Sequence, residues 1–520
     1  MSIDHATDAR GRTRISPARV GIVVLTTVLV GWTGVRAISA AVTEPVHPGP
    51  TVFAAYVDVT ATPSYPFETP AGPPQSNVIL AFVVSGPGHP CTPTWGGAYT
   101  LEQAGTGLEL DRRLAQLRLT GGEARVSFGG QRGAELSATC TDPQALRAAY
   151  RSVVDRYDLT SIDLDLEGTS QGDAAAATRR ATAVKAVQDA ERAAGRDLSV
   201  WLTLPVSPTG LTDQGLAVVS SMLSAGVDLA GVNGMTMDFG TSASPTDPLS
   251  TTVIAATRAL ESQVSAAYAR AGQALDGAGS WAKVGITPMI GQNDIAAERF
   301  TITDADAVNR FARAQGVGQL SMWSLNRDST CGPPLPTVLS VVQTTCSGVD
   351  QGDRSFAAAL AANSDGVTFA TAAGPGPTDS ATGPAASAGP TGLVDDPAHS
   401  PFPIWDPLGT YPAGVKVVWH HGVYQARYWT TGFAPDTPVA SERDSPWMLV
   451  GPVLPGDTPA PLPTLPAGTY PQWNATQAYV AGSRVQLGLV PYQAKWWSQG
   501  QRPGVSRAGG APWVLVEGGG

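Results

Sequence analysis

The chain has 520 residues, with 43 acidic and 33 basic side chains, and its formal net charge is −10 at pH 7. A negative surface repels phosphate, so we expect no nucleic-acid partner. The length predicts two to four domains, and the 58 glycines and 43 prolines indicate many turns and some linker.

The N-terminal segment has the pattern of an export signal. Four arginines, the last of them Arg19, precede an apolar run over residues 20–35. A basic stretch before such a run is typical of a secretory signal, and the run also approaches the length of a membrane span. Residues 1–40 are therefore predicted to be a signal peptide or a retained membrane anchor. Both alternatives place the remaining chain outside the cell, secreted or tethered to the outer face of the membrane, and we expect a monomer.

The four cysteines point to the same compartment. They form an even, sparse set without a C-x-x-C pair, which fits two disulfides in an oxidising environment. We predict the pairs Cys91–Cys140 and Cys331–Cys346. Free buried thiols are the alternative.

Residues 50–347 alternate apolar β-type runs with amphipathic helical segments. Helix starts are marked at Asp142-Pro143, at Asp173 and at Thr301. The pattern predicts an α/β fold, a (β/α)8 TIM barrel, with a doubly wound open sheet as the alternative. The eight runs cover residues 52–57, 77–83, 124–128, 161–167, 200–204, 231–238, 284–290 and 319–324.

The last third of the chain has a different composition. Residues 348–400, rich in Ala, Gly, Pro and Thr, are predicted to be a flexible linker whose early part, 356–369, is able to pack. Two units follow, residues 401–453 (module 1) and 469–517 (module 2), joined by a second linker over 454–468. Their aromatic, glycine and proline positions recur 68 residues apart, so we expect two copies of one small all-β fold.

The run Ser161–Gly168 carries three carboxylates at alternate positions, Asp163, Asp165 and Glu167. Alternate side chains of a strand share one face, so the three face the same side. Inside a barrel they coexist only by sharing protons, which raises at least one pKa. A carboxyl group that stays protonated near neutral pH is what cleavage of a glycosidic bond requires.

Two alternatives to this interpretation remain. The run is also compatible with the solvent-exposed face of an edge strand, where three carboxylates need no special chemistry. A three-carboxylate Mg²⁺ or Ca²⁺ site is the other alternative, although His89 is the only histidine within residues 50–347. We expect neither a metal nor a cofactor.

Four segments, in order along the predicted strands, resemble motifs of glycoside hydrolase family 18, the chitinase family. The resemblance covers residues 50–345 and implies hydrolysis of β-1,4 bonds in chitin or chito-oligosaccharides. The four segments are Asp163-x-Asp165-x-Glu167, Val126-Ser-Phe-Gly-Gly130, Met235-Thr-Met-Asp238 and Trp323, which ends the eighth run.

The resemblance implies a substrate-assisted, retaining mechanism. Glu167 would protonate the glycosidic oxygen while the acetamido carbonyl of the substrate attacks the anomeric carbon. Asp165 would orient the acetamido nitrogen, and Asp163 would share a proton with Asp165. Asp238 would also contact the acetamido group.

Further residues are predicted to bind the substrate. Gln292, Asn293 and Asp294 follow the seventh run, at the end of a barrel where polar groups bind ligands, although a capped turn explains them equally well. Two departures from the family pattern occur: Thr160-Ser161 replaces its Asp-Gly, and Met237 replaces its tyrosine. The predicted substrate-binding residues are Tyr56, Ser127, Gly129, Met235, Met237, Gln292, Asn293 and Trp323.

The two modules carry paired aromatic residues, Tyr428-Trp429 and Trp496-Trp497. Their surroundings, Ala-Arg-Tyr-Trp and Ala-Lys-Trp-Trp, resemble carbohydrate-binding modules of families 5 and 12. Exposed flat rings stack on the apolar faces of sugars, so these pairs are predicted to bind chitin. Two other functions remain as alternatives: a lectin-like protein with little activity, and an endo-β-N-acetylglucosaminidase acting on N-glycans or peptidoglycan.

Overall fold

The computed structural model describes residues 50–70, 72, 76–244, 246–363, 394–440, 444–459, 461–504 and 512–516. The predicted export segment, residues 1–40, and the middle of the first predicted linker lie outside these ranges. Within them, no helix combines the length and apolar character needed to cross a membrane.

The predicted runs form strands of one sheet. The strands up to the predicted linker are β1 (Val52–Phe53), β2 (Ala55–Asp58), β3 (Asn77–Gly86), β4 (His89–Trp95), β5 (Tyr99–Thr100), β6 (Glu123–Gly129), β7 (Ser161–Asp165), β8 (Ser199–Ser207), β9 (Gly210–Leu211), β10 (Leu229–Met235), β11 (Val284–Thr287), β12 (Gly291–Gln292), β13 (Arg299–Phe300) and β14 (Gln319–Leu320). Twelve of them form a mixed sheet in the order β1-β14-β11-β10-β8-β7-β6-β3-β4-β5, with β2 paired to β3 and β9 to β8.

The pairs between the predicted runs are parallel. Ala54 separates β1 from β2, so the first predicted run is two short strands rather than one. The first half pairs with β14 and the second half with β3. The first run therefore contacts the strands at both ends of the parallel series.

Helices alternate with these strands, and the predicted starts at Asp142, Asp173 and Thr301 are confirmed as N-caps. Each of these side chains accepts a hydrogen bond from a backbone N–H of the first turn, which satisfies a group that the helix itself cannot. The helices are α1 (Leu101–Gly107), α2 (Leu110–Leu119), α3 (Leu136–Thr139), α4 (Pro143–Arg156), α5 (Ala174–Ala193), α6 (Asp213–Ser224), α7 (Leu249–Arg270), α8 (Gly277–Ala282), α9 (Ile302–Gln315) and α10 (Phe356–Leu360).

The parallel strands separate two kinds of side chain. Alternate apolar residues such as Ile162, Leu164 and Leu166 are fully buried in one large cluster with the helices. The intervening residues of the same run, Ser161 and Asp163, contact polar side chains of neighbouring strands instead. On β7, polar residues thus occupy one face and the apolar core occupies the other.

The first described part of the predicted linker, residues 348–363, packs against the preceding fold. Helix α10 packs with Phe356 fully buried, and Asn309 Nδ2 of α9 donates to the carbonyl oxygens of Leu360 and Ala362. The carboxylate of Asp328 accepts hydrogen bonds from the N–H groups of Phe356 and Ala357 at the start of α10. Residues 348–363 therefore belong to the preceding fold.

Both predicted disulfides are confirmed. Cys91 is bonded to Cys140 and Cys331 to Cys346, with Cα–Cα distances of 4.8 and 5.1 Å. The first joins β4 to the end of α3, and the second closes a loop after β14.

The two modules have the same architecture, a two-stranded and a three-stranded antiparallel sheet each. Each has its own small core, with Trp447 buried in module 1 and Trp513 in module 2. The strands are β15 (Thr410–Tyr411), β16 (Lys416–Trp419), β17 (Gly422–Ala426), β18 (Thr430–Thr431) and β19 (Trp447–Pro452), then β20 (Ala478–Tyr479), β21 (Arg484–Leu487), β22 (Val490–Ala494), β23 (Ser498–Gln499) and β24 (Trp513–Leu515).

Candidate active site

A cavity of about 120 Å³ lies beyond the carboxyl ends of the parallel strands. Glu167 follows β7, Asp238 follows β10 and Trp323 follows β14, so connections after three strands that are not adjacent in the sheet contribute to it. In α/β folds this end of the strands is where substrates bind. The lining residues are Tyr56, Phe82, Gln131, Asp165, Glu167, Thr203, Met235, Met237, Asp238, Thr287, Met289, Asp294 and Trp323.

Asp163 lies at the base of the site and is 1% exposed. Its Oδ2 accepts hydrogen bonds from the hydroxyls of Tyr56 (2.9 Å) and Ser127 (2.7 Å), and its Oδ1 accepts from Thr203 (2.7 Å). Burial raises the pKa of Asp163, and the hydroxyl donors and the nearby Arg125 charge oppose that rise. Three hydroxyls from three different strands are thus oriented by one carboxyl group.

The polar network continues beneath and beside Asp163. Asn233 donates through Nδ2 to the Thr203 hydroxyl (3.1 Å), and Thr287 donates to Asn233 Oδ1 (2.9 Å). Arg125 is fully buried and donates to Ser161 (2.7 Å) and to Gln319. Burial lowers the pKa of Arg125 to about 10, so it remains a cation at neutral pH.

Asp165 is the next residue on this face and is 4% exposed. Burial is the largest cause that raises its pKa well above the ordinary value, followed by the charges of Glu167 and Asp163. Its carboxyl group hydrogen-bonds that of Glu167, and its Oδ1 has no partner. A buried carboxyl group with a free oxygen beside a second carboxyl group is poised to hold a proton.

Gly129 on β6 allows this arrangement. A Cβ at this position would lie 2.0 Å from the carbonyl oxygen of Asp165, and the residue has a φ of 104°. Only glycine combines that close approach with that backbone conformation. Gly129 therefore sets the spacing of β6 and β7 next to the carboxyl groups.

Glu167 follows β7 in an extended conformation, with φ −121° and ψ 162°. Its carbonyl oxygen accepts from the Ser170 hydroxyl (2.6 Å), and Gln171 Nε2 donates to the Leu166 carbonyl (3.0 Å). Burial raises the pKa of Glu167 to about 7; the hydrogen bond to Asp165 lowers it and the Asp238 charge raises it. A carboxyl group with this pKa is able to donate a proton near neutral pH.

Asp238 is a further carboxyl group that lines the cavity. Its backbone is left-handed, with φ 51°, and its Oδ1 accepts from the N–H of Ile295 (3.2 Å). The buried Glu298 accepts from the N–H groups of Phe239 (3.1 Å) and Gly240 (2.6 Å), which holds this connection in place. Burial raises the pKa of Asp238, and the hydrogen bond from Ile295 opposes the rise.

Aromatic rings form one wall of the cavity. Trp323 stacks on Phe82 with ring centroids 5.4 Å apart, and Tyr56 lies 5.9 Å from Trp323. A flat indole in this position offers a surface for the apolar face of a sugar ring. Trp323 and Tyr56 were predicted from the sequence, whereas Phe82 lies within an unbroken apolar run that gave no signal.

Only some of the other residues that are predicted to bind the substrate line the cavity. Met235 and Met237 line the cavity, whereas Ser127 and Gly129 lie behind it and contact Asp163 and Asp165. The remaining lining residues that the sequence reasoning missed are Gln131, Thr203, Thr287 and Met289.

The expectation that Gln292 and Asn293 line the substrate cavity is not met. Gln292 Nε2 donates to four carbonyl oxygens of residues 293–298 at 3.0–3.3 Å, and Asn293 Oδ1 accepts from the Asp238 N–H (3.4 Å). Both side chains are buried because their amides bond backbone groups, those of residues 289–298 and the N–H of Asp238. Their neighbour Asp294 lines the cavity instead.

The predicted aromatic pairs of the modules are exposed. Tyr428 and Trp429 are 50% and 61% exposed, and Trp496 and Trp497 are 42% and 60% exposed.

Among the described residues, no group of three or more His, Cys, Asp or Glu side chains is arranged to hold a metal ion.

Comparisons with known proteins are consistent with this geometry. No protein-family model matches the chain. It is 37% identical over 317 residues to a probable bifunctional chitinase/lysozyme of Escherichia coli (strain K12), covering 59% of this chain and 34% of the relative. It is 36% identical over 310 residues to endochitinase 11 of Metarhizium anisopliae, covering 58% of this chain and 56% of the relative. The chain thus spans between a third and just over half of the length of these curated relatives.

Among solved structures, the catalytic domain of a hyperthermophilic chitinase from Pyrococcus furiosus superimposes with a TM-score of 0.52. The match covers 63% of this chain and 100% of that domain, with 27% sequence identity. In sequence and in fold, this chain is therefore similar to chitinases.

Proposed function

We propose that this chain is a chitinase that hydrolyses β-1,4 bonds between N-acetylglucosamine units on a (β/α)8 barrel. One observation carries the proposal: Glu167, with a pKa of about 7, lies beside Asp165 in a cavity that the Trp323 ring also lines. The similarity to chitinases over more than half of the chain supports it.

In the proposed mechanism, Glu167 donates its proton to the glycosidic oxygen. Because its pKa is raised, a substantial fraction of the Glu167 side chains is protonated near neutral pH. The adjacent carboxyl group of Asp165 is able to share this proton. As the bond breaks, the acetamido carbonyl of the substrate attacks the anomeric carbon and an oxazolinium ion forms. Glu167, now a carboxylate, accepts a proton from the water that opens this ion, so the enzyme returns to its starting state.

The neighbouring carboxyl groups have supporting roles. Asp165 orients the acetamido nitrogen and stabilises the positive charge that develops on the ring. Asp163 fixes Tyr56 and Thr203, which both line the cavity, through its hydrogen bonds. Asp238 contacts the acetamido group from the opposite connection.

We further propose that the exposed aromatic pairs of the two modules bind chitin and keep the enzyme at an insoluble polymer. Two binding modules on one chain raise the effective concentration of residues 50–363, called the catalytic region from here on, at such a surface. The disulfides fit an oxidising location outside the cell.

Substrates with and without the N-acetyl group test the proposed mechanism. We expect the chain to cleave chitohexaose and to leave the fully deacetylated glucosamine hexamer uncut, and a thiazoline analogue of N-acetylglucosamine to inhibit competitively. Cleavage of the deacetylated hexamer at a comparable rate would contradict substrate assistance. It would then require a protein nucleophile, with Asp238 as the first candidate.

A further inference from the structure

Four charged side chains join module 1 to the catalytic region, although they are distant in sequence. Arg112 on α2 donates through Nη1 and Nη2 to the two carboxylate oxygens of Asp457, at 2.9 and 3.2 Å. Arg112 also bonds Glu109 Oε2 (3.0 Å), and Glu109 Oε1 accepts from Lys416 Nζ of β16 (2.9 Å). Two cations and two anions therefore alternate across the contact.

These groups are withdrawn from solvent. The side chains of Arg112 and Glu109 are 5% and 10% exposed, and those of Asp457 and Lys416 are 16% and 23% exposed. Arg112 Nη1 also donates to the carbonyl oxygen of Pro452, at the end of β19 (2.5 Å). Buried charges are stable only when they are paired. Separation of module 1 from the catalytic region would therefore return these charges to water or leave at least two of them without partners.

A glycine brings the two backbones together beside this network. A Cβ on Gly451 of β19 would lie 2.6 Å from the carbonyl oxygen of Arg112 and 3.1 Å from Gln116 Cβ. Real Cβ atoms do not approach a carbonyl oxygen so closely, so any larger residue would force β19 and α2 apart. Charge pairing and close packing thus meet on one face of α2.

Module 2 has no comparable attachment. Arg484 occupies the position that Lys416 has in module 1, but it bonds Gln493 (3.0 Å) and the Tyr470 hydroxyl (3.1 Å) within its own surroundings. In the described parts of the chain, no hydrogen bond or ion pair joins residues 465–516 to the catalytic region or to module 1. The two repeats therefore differ in their attachment and not in their fold.

We propose that the α2 face formed by Glu109, Arg112 and Gln116 is a docking site for module 1, which stays seated on the catalytic region in solution, whereas module 2 moves independently. The surface that docks there is the β16–β19 side of module 1 together with Asp457. This inference rests on the proposed function: the docked module holds the ring pair Tyr428-Trp429 in a constant orientation relative to the catalytic cavity. Module 2 attaches the chain to chitin without orienting it.

A zero-length carbodiimide cross-link on the full chain tests the docking directly. The reagent joins a carboxylate to an amine in contact with it, and the chain has only four lysines: Lys185, Lys283, Lys416 and Lys495. We expect a Lys416–Glu109 link in the wild type, because these groups are 2.9 Å apart. The Lys185–Asp189 pair within α5 is the internal positive control, and Lys495 of module 2 should form no link to residues 50–363.

The variant Gly451→Ala adds a single methyl group between β19 and α2. We expect it to reduce the Lys416–Glu109 link several-fold and to leave the Lys185–Asp189 link unchanged, with the unfolding transition of the catalytic region retained. Absence of the Lys416–Glu109 link in the wild type while the control link forms would overturn the docking. An undiminished link in Gly451→Ala would overturn the role of the close approach.

Hydrolysis provides a separate readout of the fixed orientation. Lys416→Ala should lower the rate on insoluble chitin several-fold and leave soluble chitohexaose unaffected, whereas the matched change Arg484→Ala in module 2 should alter neither. Equal rates on insoluble chitin for both variants would overturn the orientation claim even where the cross-link forms. If the wild-type chain hydrolysed neither substrate, the proposed function would be refuted. The cross-link result would still test the docking of module 1, because it does not depend on hydrolysis.

Discussion

The catalytic cavity and the aromatic modules depart from ordinary burial in opposite directions. In the cavity, Asp163 and Asp165 are 1% and 4% exposed, although carboxylates usually remain in water. In the modules, Trp429 and Trp497 are 61% and 60% exposed, although large rings usually lie in a core.

The difference shows how each region stabilises its unusual residues. The cavity surrounds Asp163 with three hydroxyl donors and a buried arginine, so its charge is compensated by the neighbouring strands. The modules keep other aromatic residues, such as Trp447 and Trp513, for their small cores, which leaves the paired rings free. Departures from burial therefore mark the proposed functional residues in both regions.

Replacement of Asp163 should have a large effect on activity in the cavity. In Asp163→Asn one carboxyl oxygen becomes an NH2 donor, so either Tyr56 and Ser127, which bond Oδ2, or Thr203, which bonds Oδ1, loses its acceptor. We expect kcat on chitohexaose to fall about 100-fold, because small displacements in a catalytic site have effects of that size. The exposed Asp155→Asn, on α4, is the matched control, and equal activity of both variants would contradict the role of Asp163.

The pH dependence should report the environment of Glu167. Because the acid must be protonated, kcat/KM should fall as the pH rises above its pKa of about 7. Asp238→Asn removes a charge that raises this pKa, so the alkaline limb should move to lower pH. The exposed Asp247→Asn should leave the limb in place. A limb that does not move in Asp238→Asn would argue against the assignment of Glu167 as the acid.

The exposed rings should affect binding to the polymer more than turnover. Replacement of Tyr428, Trp429, Trp496 and Trp497 by Ala should release the chain from insoluble chitin while chitohexaose hydrolysis stays within about twofold. The free energy of unfolding should remain unchanged, since these rings are exposed. Trp447→Ala, at 3% exposure, should instead destabilise module 1 by about 3–5 kcal/mol. If replacement of the four exposed rings lowered the free energy of unfolding, these rings would be part of the module cores.

Much of the cavity could be predicted because it depends on strand periodicity. The alternation of the run 161–167 placed Asp163, Asp165 and Glu167 on one face, and the structure brings the last two together in the cavity. The helix starts also follow from local patterns, whereas the disulfide pairs were predicted from the cysteine count and spacing. The break at Ala54 within the first run depends on pairing with strands distant in sequence, which no local pattern reveals.

Other features required tertiary information. Gln292 and Asn293 have the composition of substrate ligands, but their amides satisfy backbone groups of their own loop. The docking of module 1 depends on Glu109 and Arg112 meeting residues more than 300 positions later in the chain, which one sequence cannot show. Likewise, Phe82 becomes a wall of the cavity only because Trp323 stacks on it.

The most direct test of the account is the activity of Glu167→Gln on chitohexaose. The amide keeps the shape of the side chain but has no acidic proton to donate, so turnover should fall by at least about 100-fold while the fold and chitin binding are retained. Glu102→Gln, at an exposed glutamate on α1, should behave like the wild type. If Glu167→Gln kept more than about a tenth of the wild-type turnover, Glu167 would not be the proton donor that glycosidic cleavage requires.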